Sequence, residues 1–283
     1  MKKTLKLLMA ITLFVAILAI ATGVNAATGA VDTDPYADLV AAVAGEKNVA
    51  ADDQLIKQEG NTYTVLKDLF VETLGVPSGS VILLANGADL TVEKSVELDS
   101  TVTIVALPVP TGATGVNAGT FAFATGSSMT VKTTGVLYTN LVAAPAKVYG
   151  KVFVAKGVTV TGTPTDAEEL ALKADSIKGK PVVNSKDTVY ETLIVPKATL
   201  KDNISMTFDL TYAGEKVNKL EVGKKYDFAI VAKYGEYELN KSEITEIKPS
   251  DNNNEPANIT AAEIVPVAGG KNEGTITIPT GLK

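Results

Sequence analysis

From Ser80 to Val160, short runs of apolar and β-branched residues alternate with Gly, Asn, Asp and Ser. Within the runs, threonine alternates with valine, leucine and isoleucine, which is typical of short strands that bury one face. The pattern therefore predicts a mainly-β fold. We predict strands at Val81–Leu84, Asp89–Val92, Val96–Leu98, Thr101–Val105, Thr120–Ala124, Met129–Val131, Gly135–Thr139, Lys147–Val154 and Val158–Val160.

A helical pattern precedes these strands. Asp34 suits the N-cap position of a helix, Pro35 suits its first position, and Gly45 ends the pattern. The apolar positions of this helix are Tyr36, Leu39, Val40 and Val43. We expect a further helical turn at Ala50–Lys57, whereas Thr62–Leu74 fits either a helical stripe or strands.

A weak internal repeat runs through the strand region. Asn86–Glu93 aligns with Thr125–Lys132 at an offset of 39 residues, and each segment reads as a turn followed by a short strand. This offset corresponds to two coils of roughly 20 residues, a length found in solenoid repeats. A turn and strand that return at a fixed distance therefore favour stacked coils.

The succession of short strands and turns in this region resembles the right-handed parallel β-helix of pectin-lyase-like and bacterial surface proteins, over about residues 36–162. The resemblance implies a β-solenoid domain at 27–162, with the Asp34–Gly45 helix as the cap of its open end. The alternative is an antiparallel β-sandwich built from the same short strands.

A connector at 163–185, helix-prone over Ala167–Ala174, leads to a second β unit at 186–249. Alternation is clear in Tyr226–Ala232, which predicts a half-buried strand. The strands of this unit are predicted at Val189–Val195, Ile204–Tyr212, Tyr226–Lys233 and Tyr237–Ile247.

The segment Leu220–Tyr226 resembles the tyrosine corner of fibronectin type III domains, although Val222 stands where that family has proline. The resemblance extends over about 186–248 and implies a small Ig-like β-sandwich. It also implies that the Tyr226 hydroxyl bonds to the backbone of the corner.

Residues 250–283 begin with the hydrophilic linker Ser250–Pro256 and continue as a tail. The tail contains two strand candidates, Ile259–Val267 and Thr275–Ile278, which are too few for a core of their own. They add to a neighbouring sheet, pair with another chain or stay loose. We expect them to be donor strands that complete a neighbour's sheet by β-strand addition.

Residues 1–26 have the pattern of a secretory signal peptide. Three lysines precede the apolar run Leu7–Ile20, and the small residues Val24 and Ala26 fit a cleavage site. We expect cleavage after Ala26; the alternative is an uncleaved N-terminal anchor. The protein is therefore predicted to be secreted and extracellular or at the cell surface, with no transmembrane anchor after cleavage.

Composition narrows the chemistry. The 283-residue chain has no His, Cys, Trp or Arg, so Ser-His and Cys-His pairs, zinc sites of the usual kind and arginine clamps are excluded. Without residues 1–26 it has 23 lysines against 32 acids, a net charge of −9. Such an acidic chain disfavours nucleic-acid binding, which depends on phosphate neutralisation.

No catalytic, cofactor-binding or metal-binding residue is assigned from the sequence. Asp52–Asp53 is an adjacent acidic pair, but it lies in a polar stretch before the strands. Calcium is the metal that the composition permits, with Asp32, Asp34 and Asp251–Glu255 as local clusters that match no calcium-binding motif. Glycosylation acceptors of the Asn-x-Ser/Thr type begin at Asn203 and at Asn258.

These observations favour a secreted, non-catalytic structural or adhesive protein of the cell envelope or extracellular matrix. Its partner would be a copy of itself, in a filament or a surface lattice (S-layer), or a cell-wall or matrix polysaccharide. One alternative is a carboxylate glycosidase that acts on extracellular polysaccharide and needs two acids across a groove. The other is a carbohydrate-binding module with exposed tyrosines.

Overall fold

The structure, a computed structural model, describes residues 35–108, 118–173, 182–183, 186–187, 189–240, 264–267 and 270–278. The predicted signal peptide, the linker Ser250–Pro256 and the acceptor at Asn258 lie outside the described residues. The chain divides after Asp34, and Pro35–Lys283 is a compact unit that contains every described residue.

Two short helices are described, α1 (Leu39–Gly45) and α2 (Leu200–Asn203), and each adjoins a 3-10 turn, Glu46–Asn48 or Lys197–Thr199. The strands up to residue 171 are β1 (Ile56–Glu59), β2 (Thr62–Val65), β3 (Leu69–Val71), β4 (Ser80–Leu84), β5 (Leu90–Val92), β6 (Val96–Leu98), β7 (Thr101–Ala106), β8 (Phe121–Phe123), β9 (Met129–Val131), β10 (Val136–Thr139), β11 (Lys147–Val148), β12 (Lys151–Ala155) and β13 (Ala167–Ala171).

The later strands are β14 (Val182–Val183), β15 (Lys186–Asp187), β16 (Tyr190–Pro196), β17 (Ile204–Tyr212), β18 (Glu215–Lys216), β19 (Lys225–Tyr234), β20 (Tyr237–Glu238), β21 (Ile264–Val267) and β22 (Gly270–Thr277). Strands therefore dominate the described chain, which confirms the predicted mainly-β class.

Parallel pairing organises the strands from β2 to β12 into three sheets. The first sheet has the order β1-β2-β4-β7-β10-β12-β16-β13, and its strands from β2 to β12 are parallel. The second sheet is β3-β5-β8 and the third is β11-β9-β6, both parallel. From β4 to β10, successive strands enter the first, second and third sheets in turn.

The core lies where the inward faces of the three sheets meet. In the first sheet, strand register aligns one column of buried side chains: Tyr63, Ile82, Ile104, Thr139 and Val154. The second and third sheets contribute buried leucine and valine to the same cluster. Removal of this apolar surface from water is the main favourable term for the fold.

Two glycines permit close approach of the backbone where the chain enters the first sheet. A Cβ atom at Gly135 would lie 2.2 Å from the carbonyl oxygen of Leu98. A Cβ atom at Gly150 would lie 2.2 Å from the carbonyl oxygen of Gly135 and 2.3 Å from that of Lys132. A side chain at either position would therefore push adjacent backbone segments apart.

Helix α1 covers the beginning of this core, but it starts later than predicted. Asp38, not Asp34, is its N-cap, and the Asp38 carboxylate accepts a 2.8 Å hydrogen bond from the amide of Ala41. Tyr36 pairs with Val71 of β3, so the backbone before Asp38 is extended. Leu39 is buried against the core.

Other predictions for the N-terminal region had mixed outcomes. The helical turn predicted at Ala50–Lys57 is wrong, because those residues form turns and the start of β1. The ambiguous stretch Thr62–Leu74 contains two strands, β2 and β3. The strand predicted at Val158–Val160 is absent from the assigned elements.

The predicted repeat does not correspond to a constant sequence separation between paired strands. Its two aligned segments contain β5 and β9, which belong to the second and third sheets respectively. Leu69 pairs with Leu90, 21 residues later, whereas Thr101 pairs with Val136, 35 residues later. The two aligned segments are similar because every short strand with one buried face needs the same alternation. The sequence separation between paired strands changes because the β7–β8 connection is long.

The region predicted as a connector joins the first sheet. Ala167–Ala171, predicted as helix-prone, is strand β13, and it pairs antiparallel with β16. Strand β16, predicted as part of the Ig-like unit, also pairs with β12. Leu170 and Leu193 bury their side chains beside Phe153 on the outer side of the first sheet, which explains why strand pairing prevails over helix propensity.

The C-terminal sheet has the order β18-β17-β19-β22-β21, with β20 paired to β19. The Tyr226 hydroxyl accepts a 2.7 Å hydrogen bond from the amide of Glu221, as the tyrosine-corner resemblance implies. The prediction of a small sandwich differs from this arrangement, since one sheet is described in this part of the chain. The β19–β20 hairpin packs Ala232 and Tyr234 against the outer side of the first sheet.

The described parts of both C-terminal strand candidates belong to the C-terminal sheet. Strand β22 pairs antiparallel with β19 of the same chain, and β21 pairs with β22. These strands therefore add to the C-terminal sheet of their own chain, which differs from the expectation that they are donor strands that complete a neighbour's sheet.

Candidate interaction surface

The adjacent acidic residues Asp52 and Asp53 have ordinary, solvent-exposed surroundings. Asp52 and Asp53 lie exposed in a turn, and the Asp53 carboxylate is 3.8 Å from the Lys67 ammonium. Among residues with described positions, no group of three or more Asp or Glu side chains could hold a metal ion. Asp32, Asp34 and Asp251–Glu255 lie outside the described residues.

Carboxylates near the parallel sheets link adjacent segments. Asp68 accepts a 3.0 Å hydrogen bond from the Asp89 amide, and Asp89 accepts bonds of 2.8 and 2.7 Å from the amide and hydroxyl of Thr120. These three residues precede the three strands of the second sheet, so the bonds connect its neighbouring strands at one corner. The carboxylates thus have a structural role in the described fold.

Ion pairs also connect adjacent segments of the parallel sheets. Lys94 pairs with Glu72 at 2.7 Å, and Lys132 pairs with Glu97 at 2.8 Å. Both pairs are solvent-exposed, so each contributes little to stability. Their positions indicate that opposite charges are matched between neighbouring strands.

An aromatic cluster lies between the first sheet and the β19–β20 hairpin. The Tyr138 ring stacks on Phe153 at 4.8 Å, and Tyr190 and Tyr237 meet these rings edge-on at 5.2 Å. Burial raises the pKa of the Tyr190 hydroxyl, which has no hydrogen-bond partner in the described chain. Burial, with a contribution from Glu236, raises the pKa of Tyr237 to about 12.

These ring contacts have a packing role, and they leave few tyrosines free for a sugar. Tyr149 and Tyr212 are the tyrosines with nearly half of their surface exposed, at 46% and 47%. Tyr212 also lies 5.7 Å from the Tyr226 ring. The carbohydrate-binding alternative therefore depends on Tyr149 and Tyr212.

The C-terminal sheet presents one apolar face. Strand register places Met206 opposite Ala232, Phe208 opposite Ile230 and Leu210 opposite Phe228, with all of these side chains on one side. On the opposite side, which we call the polar face, β17 carries polar side chains, whereas β19 contributes Ala229 and Val231 as well as Asp227 and Lys233. The β17 residues of the polar face are Ser205, Thr207, Asp209 and Thr211.

Burial across the apolar face is uneven. The β19 side chains Tyr226 and Phe228 are buried with Ile276. On β17, however, Met206 is 67% exposed and Phe208 is 48% exposed, although Phe208 stacks on Phe228 at 5.8 Å. Contiguous exposed apolar surface of this kind often marks a site of interaction.

Strand β17 also has an open edge. Strand β18 pairs with Thr211 and Tyr212, and the Val217 amide donates a 3.0 Å bond to the Leu210 carbonyl. No described strand pairs with this side of Ser205–Asp209, which we call the open edge. The strand was predicted from sequence, but its open edge was not, because alternation does not reveal which neighbours a strand has.

The two edge strands of the first sheet carry charges that discourage pairing with another chain. Strand β1 contains Lys57 and Glu59, and β13 contains Glu168 and Glu169. Within the open edge, Ser205–Phe208 has no charge and no proline. Because charged residues protect natural edge strands from association, the open edge is the least protected of these three edges.

The glycosylation acceptor at Asn203 lies next to the open edge. Asn203 ends α2, is exposed, and its side-chain amide donates a 2.8 Å bond to the Thr199 carbonyl. Ser205, the third residue of the acceptor, begins the open edge.

Comparison of the chain with protein-family models, curated proteins and solved structures finds no match. Within the described ranges, no helix has the length and apolar character needed to cross a membrane.

Proposed function

We propose that this chain is a secreted, non-catalytic structural or adhesive protein of the cell envelope or extracellular matrix, and that it associates with copies of itself. The observation that carries the proposal is the combination of an open edge that is uncharged over Ser205–Phe208 with the exposed apolar side chains of β17. The absence of His, Cys and Arg from the whole sequence also supports it.

The architecture that suits this function is a capped parallel β-helix. Support comes from the entry of successive strands into three parallel sheets and from the buried column that runs through the first sheet. Each coil in such a structure buries its inward side chains by stacking on the next coil. The C-terminal sheet, with its Tyr226 corner, would form part of an Ig-like module.

The proposed location follows from the sequence of residues 1–26. Secretion with cleavage after Ala26 predicts a mature chain that begins at Ala27. Mass spectrometry of the protein released by its natural host measures this directly. A mature mass that still includes residues 1–26 would contradict the proposed cleavage.

The function is tested with the mature chain in two parallel assays. Electron microscopy over a range of protein concentrations should show oligomers, filaments or a lattice. Incubation with a panel of extracellular polysaccharides should release no reducing sugar. Turnover of any glycan by the pure protein, at a rate abolished by substitution of an acidic pair, would favour the glycosidase alternative and overturn the proposal.

A carbohydrate-binding function is the second candidate, because Tyr149 and Tyr212 are exposed. Exposed tyrosine rings can stack on sugar rings. A glycan array should then show binding that Tyr149→Ala and Tyr212→Ala each reduce, while Tyr63→Phe, at a buried ring outside the aromatic cluster, leaves it unchanged.

A further inference from the structure

We propose that the open edges of two copies pair antiparallel about a two-fold axis at Thr207, which joins their C-terminal sheets into one continuous sheet. This inference rests on the proposed self-associating function and names the surface and partner that it uses. The partner is a second copy of this chain, because the open edge is complementary to itself in both chemistry and hydrogen-bond direction.

The side chains of the open edge match when Thr207 faces Thr207 of the second copy. On the apolar face, Met206 then lies opposite Phe208 of the second copy, and thioether–aromatic contacts are favourable. On the polar face, Ser205 lies opposite Asp209, so a hydroxyl meets a carboxylate and no like charges meet. Cross-strand pairs of these kinds stabilise antiparallel sheets.

The backbone direction fits the same register. The Leu210 carbonyl points toward the outer edge, because it accepts a bond from Val217 of the adjacent hairpin. Alternate residues of a strand direct their polar backbone groups to the same side, so Met206 and Phe208 also direct theirs outward. Each Met206–Phe208 pair across the axis can therefore exchange two backbone hydrogen bonds.

The β17–β18 hairpin sets the length of the contact. Strand β18 and Val217 occupy the outer side of β17 from Leu210 onward, so the second copy can pair with Ser205–Asp209 only. So short an interface belongs to the small, weak class of protein contacts. We therefore expect a dissociation constant in the micromolar range, roughly 1–100 µM.

Substitution at the axis tests this register. Thr207→Lys and Thr207→Glu each place two like charges opposite each other in a homodimer, and each should weaken dimerisation about fivefold. In an equimolar mixture, the introduced lysine of one chain faces the introduced glutamate of the other. The mixture should therefore recover the wild-type affinity or exceed it. Analytical ultracentrifugation of the full mature chains measures all three constants.

Thr275→Lys is the matched control, because Thr275 lies on the same polar face, on β22, beside Asp227 and away from the open edge. It should leave dimerisation unchanged, and circular dichroism should show that every variant folds. A monomeric wild type at ~1 mM, or a mixture no tighter than either variant, would overturn the inference.

The same variants separate this inference from the proposed function. If both Thr207 variants dimerise with the wild-type dissociation constant and form the same assemblies as wild type in electron microscopy, the pairing at β17 is wrong and self-association by another surface stands. If the wild type neither dimerises nor assembles, both proposals fail.

Discussion

Gly135→Ala tests the close stacking of backbone segments in the parallel region. The new Cβ atom would lie 2.2 Å from the Leu98 carbonyl oxygen, whereas ordinary contacts begin at 3.4 Å. The backbone must therefore shift by roughly 1 Å, and overpacking of this kind costs about 1–3 kcal/mol. Alanine also restricts the unfolded chain, which offsets about 0.4–1 kcal/mol of that loss.

The expected net loss is about 1–2 kcal/mol, which corresponds to a fall in Tm of ~2–8 °C for a protein of this size. Calorimetry and urea unfolding monitored by circular dichroism measure it. Gly60→Asn is the control, because Gly60 has open space around it and a φ of +59° that asparagine tolerates. A Gly135→Ala protein as stable as wild type would refute the close approach of Gly135 to Leu98.

Three further predictions concern stability. Tyr190→Phe removes a buried hydroxyl that has no partner in the described chain, so it should raise the free energy of unfolding by about 1 kcal/mol. Tyr149→Phe, at an exposed ring, is the control and should leave the free energy of unfolding unchanged. A destabilised Tyr190→Phe protein would show that the hydroxyl is bonded. Burial raises the pKa values of Tyr138, Tyr190 and Tyr237 above the ordinary tyrosine value of about 10, so these groups stabilise the fold below pH 10 and this contribution is lost as the pH rises toward about 12. Urea midpoints at successive alkaline pH values should fall in step with tyrosinate absorbance, and a constant midpoint would contradict the burial of these rings. Asp89→Ala removes the acceptor of two hydrogen bonds from Thr120 and should lower the free energy of unfolding by about 1 kcal/mol. Asp53→Ala, in an exposed turn, should lower it by less than ~0.5 kcal/mol. Equal effects of the two substitutions in urea unfolding would argue that the Asp89–Thr120 bonds do not stabilise the second sheet.

Local pattern was enough to predict most strands of the parallel region and the end of the first helix. Alternation of threonine with larger apolar residues marks a strand wherever it sits, so Val96–Leu98 and Met129–Val131 coincide with β6 and β9. The Tyr226–Glu221 hydrogen bond is also local, since it joins residues five positions apart.

Features that depend on partners distant in the chain could not be predicted from the sequence pattern. The start of α1 shifts because Tyr36 pairs with β3, and Ala167–Ala171 becomes a strand because β16 lies beside it. The open edge is of the same kind. Its uncharged run Ser205–Phe208 is visible in the sequence, but only the sheet order shows that no described neighbour pairs with that side.

Hydrogen–deuterium exchange of the mature chain at several protein concentrations tests most directly whether the open edge is an interaction surface. The account predicts that the amides of Met206 and Phe208 exchange rapidly in dilute protein and become protected as the concentration rises, while amides of β7 stay protected throughout. Rapid exchange of both amides at every concentration, or equal protection at every concentration, would contradict it.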